Sequence, residues 1–135
     1  MSDSHDKYAN QEVSYLLQRI ESHEGLIILA SNMKSNLDTS FIRRFNSIIE
    51  FDNPDAEERL NLWKNYLPDF GEYMSDVNLE EIARKYNLTG ANIVNIIQFA
   101  GLRTLEKNSN IISSDDLLLG IRREYEKEGK MMRQE

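Results

Sequence analysis

Apolar side chains recur at Val13, Leu16, Leu17 and Ile20, a spacing of i, i+3, i+4 and i+7 that gathers them on one face of a helix. A helix is predicted from about Tyr8 to His23, ended by Gly25. The run Leu26-Ile27-Ile28-Leu29-Ala30 is apolar at consecutive rather than alternate positions. A strand covered on both faces of a parallel sheet needs that pattern, so a buried central strand is expected here. A polar stretch, Ser31 to Asn36, leads into a short helix carrying Phe41, Ile42 and Phe45. Ser47-Ile48-Ile49-Glu50-Phe51 then reads as a second short strand. Helix, strand, short helix, strand is an α/β order.

After Phe51 the pattern changes to one helix after another. In Asn53-Pro54-Asp55, asparagine can cap free amides, proline fits a first helical position, and aspartate with Glu57 suits the positive end of the dipole. Leu60, Trp63 and Leu67 give that helix its buried stripe, and Pro68 stops it. Asp69 to Val77, with Gly71, reads as a loop. Asn78 with Glu81 resembles a capping box opening a short helix through Tyr86. Thr89 begins another, running to Lys107, with Ile93, Ile96, Ile97 and Ala100 on one face and a turn at Asn108-Ser109-Asn110 after it. Ser113 with Asp116 opens a final helix carrying Leu117, Leu118, Ile121 and Tyr125 on one side. The expected fold class is therefore an α/β fragment, residues 1–52, followed by an all-α unit of about four helices, residues 53–126, with a frayed tail over 127–135. Neither an internal repeat nor a low-complexity tract interrupts this order.

Composition narrows the function classes. The 135 residues are 40% apolar and 29% charged, a balance that supports a packed core and fits one domain or a piece of a larger one. Leu26 to Ala30 is the longest apolar run, far short of the ~20 residues a membrane-spanning helix requires. The start MSDSHDKYAN lacks a basic-then-apolar signal pattern, and a cytoplasmic protein is expected. Zero cysteines remove disulfides, thiolate catalysis and cysteine zinc sites. A net charge of −7 argues against nonspecific nucleic-acid binding, which needs a surface that neutralises phosphates.

Two places in the first half could carry chemistry. Leu29-Ala30-Ser31-Asn32 puts a side-chain amide at the carboxyl end of an apolar strand, where ligands bind in open α/β sheets. Such an amide can orient a water or meet a terminal phosphate oxygen, although on this signal alone the plainer reading is that Asn32 starts a turn. Phe41-Ile42-Arg43-Arg44-Phe45 sets two arginines between aromatics. A planar, permanently charged fork held there suits the charge on a transferring phosphoryl group, and it also suits surface ion pairs with the surplus carboxylates.

Taken in order, the helix, the apolar strand with Asn32, Leu37-Asp38-x-x-Phe41-Ile42-Arg43-Arg44-Phe45, the second strand, Pro54-Asp55-x-x-x-Arg59 and Thr89-Gly90-Ala91-Asn92-Ile93 resemble the second half of a AAA+ ATPase module. The resemblance covers nearly the whole chain and is greatest to bacterial members of the AAA group, where a stretch similar to residues 8–20 follows the Walker B strand. It implies that Asn32 is the sensor 1 residue and that Arg43 and Arg44 are the arginine-finger candidates. Arg44 is favoured because it precedes Phe45. Family members often carry Arg-Pro-Gly-Arg here, so Arg43-Arg44 leaves the finger ambiguous. The segment after Pro54 would be the helical lid, and Gly90 and Ala91 the small residues that let the backbone approach the adenosine; Thr89-Gly90 is also simply a helix start. None of Gly90 to Ile97 is basic, so no sensor 2 cation is expected from the lid, and Arg103 is read as a surface residue.

What is missing matters as much. No Gly-x-x-x-x-Gly-Lys-Ser/Thr loop occurs in the sequence, and Asp3, Asp6, Glu12 and Glu24 follow no apolar strand as a Walker B pair would. ATP and magnesium are therefore expected to belong to the full-length parent, and this chain alone should bind neither tightly nor hydrolyse ATP. No metal site is expected, because His5 and His23 have no flanking ligand cluster. Trp63 reads as core, and the alternating charges from Arg122 to Arg133 as a solvated helix face. Ring self-association is implied for the parent, with a protein substrate possible. The competing reading is a stand-alone helical interaction module without nucleotide chemistry. A small metal-independent hydrolase has no nucleophile and histidine pair to support it. Apolar strands at 26–30 and 48–51 that are not neighbours in the family's sheet would leave unpaired edges here, favouring association or disorder in that half.

Overall fold

The computed structural model describes residues 3–32 and 39–130, with the side chains of its first helix described from residue 11. The chain divides into two compact units, Met1–Glu50 and Phe51–Glu135. Among the described residues the architecture is mostly helical with one short parallel sheet of two strands, compatible with an α/β fragment followed by a helical lid.

In the first unit, α1 spans Asp3–Glu21 and α2 is a single turn, Thr39–Ile42. Val13, Leu17 and Ile20 are half-buried on α1, as their spacing requires. The two runs expected as strands form no ladder among the described residues. Leu26 is 85% and Ile28 83% exposed, as are Ile49 (76%) and, at the start of the second unit, Phe51 (93%). A β-branched run becomes a strand only when a neighbouring strand takes its amides and carbonyls and a layer covers its faces. Leu37 and Asp38, part of the family-like motif, lie outside the described residues.

The second unit holds α3 (Ala56–Asn65), β1 (Glu72–Tyr73), α4 (Leu79–Lys85), α5 (Gly90–Glu106), β2 (Ile111–Ile112) and α6 (Ser114–Lys127). The start of α3 is not capped by Asn53. Asp55 takes that role, accepting from the Glu58 amide at 2.9 Å while the Glu58 carboxylate accepts from the Asp55 amide at 2.9 Å. Only Asp55 has a glutamate three residues on, and the reciprocal box needs one. Asn78, Thr89 and Ser113 cap α4, α5 and α6 as their spacing predicts. At the end of α5, Asn108 enters the left-handed region (φ 53°). There its amide reaches the Leu105 carbonyl (2.9 Å) and that of Ser109 the Thr104 carbonyl (3.1 Å), closing the helix in a Schellman turn.

Trp63, Ile93, Ile96, Ile112, Leu117 and Ile121 are fully buried and form the centre of one core. Gly120 lets α6 close on α5, since a Cβ there would lie 2.9 Å from Ile96 Cγ2. The stretch expected as a loop after Pro68 contains β1, paired in parallel with β2 through Glu72 opposite Ile111 and Tyr73 opposite Ile112. The Tyr73 hydroxyl donates to the Trp63 carbonyl at 2.6 Å, satisfying one of the acceptors that the last turn of α3 leaves open. Burial pushes the Tyr73 phenol well above its usual pKa. The buried Trp63 indole N–H has no acceptor among the described residues.

Candidate functional site

Each unit carries its own share of the candidate residues. In the first, Asn32 is exposed at the end of the extended apolar segment. Eleven residues of sequence further on, the turn that follows α2 presents the arginine pair. Phe41 is buried and its ring meets Phe45 at 5.3 Å, tilted 56°, so the aromatics flanking the arginines hold each other. Backbone bonds from Arg43 to Thr39, Arg44 to Phe41 and Phe45 to Ile42, all 3.2 Å, wind the segment into a tight turn. Both guanidiniums are exposed. Arg44 forms an ion pair with Glu21 at the end of α1, while Arg43 has no ion pair among the described residues. With its partners 42% and 55% exposed, the Arg44 pair contributes at most about 0.2–1 kcal/mol. Charge at α2 can therefore be redirected to another anion at little cost.

In the second unit the candidate positions open α5. Thr89 Oγ1 accepts from the Asn92 amide at 3.2 Å, and Asn92 Oδ1 accepts from the Thr89 amide at 3.0 Å and the Thr89 hydroxyl at 2.8 Å. This reciprocal box fixes the turn and leaves Gly90 and Ala91 as the first two residues of a 17-residue helix. Gly90 is half-buried and Ala91 exposed. A Cβ at Gly90 would meet only Leu62 Cδ1, at 3.8 Å, an ordinary contact. Packing among the described residues therefore places no demand for glycine there.

Three polar groups around this unit escaped the reading of the sequence. Arg59, buried to 7% exposure, donates from Nε to the Ala83 carbonyl (2.8 Å) and from Nη1 to the Pro54 carbonyl (2.6 Å) and Asn87 Oδ1 (3.1 Å). It clamps the start of α3 to the end of α4. Asn92 Nδ2 reaches Glu124 Oε2 and Glu128 Oε1, each at 3.1 Å. Arg103, expected as a plain surface residue, donates to buried Asp116 at 2.8 Å, and Lys107 reaches the second oxygen at 2.9 Å. Burial alone would push the Asp116 carboxyl up. Hydrogen bonds from Arg103 and Lys107 and the Lys107 charge outweigh it and hold the group below its usual range.

Among the described residues no group of three His, Asp or Glu side chains could hold a metal ion, and no helix is long and apolar enough to cross a membrane. The sequence has no phosphate loop, and the arginine pair lies in the first unit and the Gly90 turn in the second.

No protein-family model matches the chain. Curated relatives do. An ATP-dependent zinc metalloprotease FtsH of Synechococcus sp. (strain JA-2-3B'a(2-13)) is 31% identical over 115 residues, which is 79% of this chain and 18% of that protein. The proteasome-activating nucleotidase of Methanopyrus kandleri is 28% identical over 127 residues, 89% of this chain and 29% of the relative. Both are AAA+ ATPases. This chain belongs to the AAA+ ATPases. Cell division protein C of Sulfolobus acidocaldarius, 31% identical over 98 residues, matches 72% of this AAA+ chain and 26% of its own length. The chain thus spans less than a third of each of these relatives, and it is a fragment of a AAA+ ATPase corresponding to the C-terminal part of the module.

Proposed function

We propose that this chain supplies the sensor, the intersubunit arginine and the helical lid to ATP binding and hydrolysis in a ring-forming, cytoplasmic AAA+ ATPase acting on a protein substrate, and that it is inactive alone. The observation that carries this reading is the pairing of AAA+ relatives over most of the chain with the lack of any phosphate loop in its sequence. ATP and magnesium are then held chiefly by the part of the module that bears the phosphate loop. Asn32 serves as sensor 1, contacting a terminal phosphate oxygen or orienting water with its amide. One of Arg43 and Arg44 reaches the nucleotide of the neighbouring subunit. Exposure of both guanidiniums and the weak hold of Glu21 on Arg44 support that role. Gly90 and Ala91 face the adenosine. That assignment is supported by the lack, among the described residues, of a packing contact that would require glycine.

Purified chain should show no ATP turnover. Turnover that survives purification and disappears with a point change in this chain would overturn the reading. Within a complete subunit carrying this sequence, Arg44→Ala should lower kcat far more than it raises the Kd for ATP, because the contact strengthens in the transition state. Arg43→Ala should do less. Mixed with phosphate-loop-dead subunits that keep their arginine, Arg44→Ala subunits should recover turnover. Equal losses in both variants without rescue would return the pair to ordinary surface charge.

A further inference from the structure

Asn92 sits where two distant parts of the second unit meet. Its carbonyl oxygen is taken by Thr89, at the turn that opens α5, through bonds of 3.0 and 2.8 Å. Its NH2 group is shared by Glu124 and Glu128, each 3.1 Å away, 32 and 36 residues further along the chain. Asn92 is 7% and Glu124 6% exposed, so the central bond of this network is shielded from competing water. Lys127 Nζ takes the other Glu124 oxygen at 2.5 Å, and Lys130 Nζ the other Glu128 oxygen at 2.7 Å. Lys130 comes back to Glu128 because Gly129 (φ 66°) closes α6 in a Schellman turn, with the Lys130 amide on the Tyr125 carbonyl at 2.9 Å. Only a side chain with an acceptor at one end and donors at the other can satisfy both groups of partners. A carboxylate at position 92 could still cap Thr89, but its second oxygen would face two carboxylates.

We propose that Asn92 is a positioning residue that latches the carboxyl end of α6, through Glu124 and Glu128, to the Thr89–Ala91 turn, so that the state of residues 124–130 sets the geometry of that turn. The step from the turn to ATP rests on the reading of Gly90 and Ala91 given above; the latch itself does not. It makes the segment after α6 a remote control on the adenosine side of the lid. A change near Lys130 is felt at Gly90 without any contact to nucleotide.

Amide hydrogen exchange and chemical shifts in the full chain, read by NMR without nucleotide, test the latch. Glu128→Ala should speed exchange at Thr89 and Asn92 by about threefold to tenfold, the factor for one net hydrogen bond, and shift the Gly90 and Ala91 resonances. Exchange at Ile96 and Ile97, inside α5, should stay unchanged. Asn92→Asp should have a larger effect at neutral pH. Asn92→Asp with Glu124→Gln should reverse most of it, because the new amide can donate to the new carboxylate. Effects of Glu128→Ala confined to residues 124–130 would overturn the proposal, as would a double variant no better than Asn92→Asp. Should Asn92→Asp fail to fold, Glu128→Ala still decides. In a complete subunit, Glu128→Ala should raise KM for ATP more than it lowers kcat. An unchanged KM beside altered exchange would remove adenosine from the turn while leaving the latch standing.

Discussion

Replacing Asp116 by Asn keeps the shape of the side chain and removes its charge from a position only 3% exposed, at the third residue of α6. The carboxylate accepts from Arg103 at 2.8 Å and Lys107 at 2.9 Å. Those partners are 39% and 56% exposed, so each pair is partly screened and contributes about 0.5–1 kcal/mol rather than the value of a buried pair. Favourable placement near the helix N-terminus adds about 0.3–1 kcal/mol. Because Arg103 and Lys107 can turn back to water, no unpaired buried charge is left behind. The expected penalty is therefore about 1.5–3 kcal/mol. The chain's single tryptophan, Trp63, is fully buried in the second unit, so its fluorescence in a urea titration follows that unit alone. The penalty should also depend on pH in one direction. With its carboxyl held below its ordinary value of 3.8 in the folded chain, Asp116 stabilises fully above that value and loses its contribution as pH falls through the folded pKa. The gap between wild type and Asp116→Asn should be complete at pH 6 and narrow only as pH falls below the ordinary carboxylate range, through the lowered folded pKa. A penalty under about 0.5 kcal/mol at pH 6, or a gap that widens as pH falls through the carboxylate range, would refute this account of the triad.

The same fluorescence titration separates two glycines of the second unit. Gly120→Ala brings a Cβ to 2.9 Å from Ile96 Cγ2 and 3.2 Å from Phe99 Cδ1, and overpacking there should outweigh the gain in helix propensity, for a net loss of about 1 kcal/mol. Gly101→Ala meets nothing within 4 Å and should stabilise by about 0.5–1 kcal/mol; the opposite order of the two variants would contradict the close approach of α5 and α6. Arg59→Lys keeps the charge but cannot span the carbonyls of Ala83 and Pro54 and the Asn87 side chain. It should cost about 2–3 kcal/mol, and a loss under about 1 kcal/mol would mean the clamp adds little.

The parts of the second unit that were legible in the sequence are those whose physics is local. Asn78, Thr89 and Ser113 each accept from an amide three residues on, and a cap of that reach leaves its mark within four letters. The start of α3 was misplaced although the same signal was present, because Asn53 and Asp55 both qualify as caps and only the Asp55–Glu58 spacing distinguishes them. The pair β1 and β2, two residues each, is too short to show an alternation. Arg103 with Asp116 and Asn92 with Glu124 join residues 13 and 32 apart, and no local pattern records which helix faces will meet. Family resemblance pointed to Gly90 and Ala91, but the amide at position 92 gained its meaning only beside two glutamates.

The first unit shows the other side of this limit. Leu26 to Ala30 and Ile48 to Phe51 have the composition of buried strands, yet their apolar side chains stand largely in water and no ladder engages them among the described residues. Strand propensity measures how well a residue fits a pleated surface already made by its neighbours. It cannot supply the neighbours. A helix carries its own hydrogen bonds, which is why α1 and α2 form from the same unit while the β-branched runs do not pair. The arginine turn inherits this condition. Its backbone is fixed locally by 3.2 Å bonds and by the Phe41–Phe45 contact, so the geometry that presents Arg43 and Arg44 persists without a sheet beneath it. Asn32 has no comparable local frame; its place at a strand end depends on the strand. Of the candidate residues in this unit, the arginine pair is therefore pre-organised by the chain itself, and Asn32 needs a paired strand to acquire the geometry its proposed role requires.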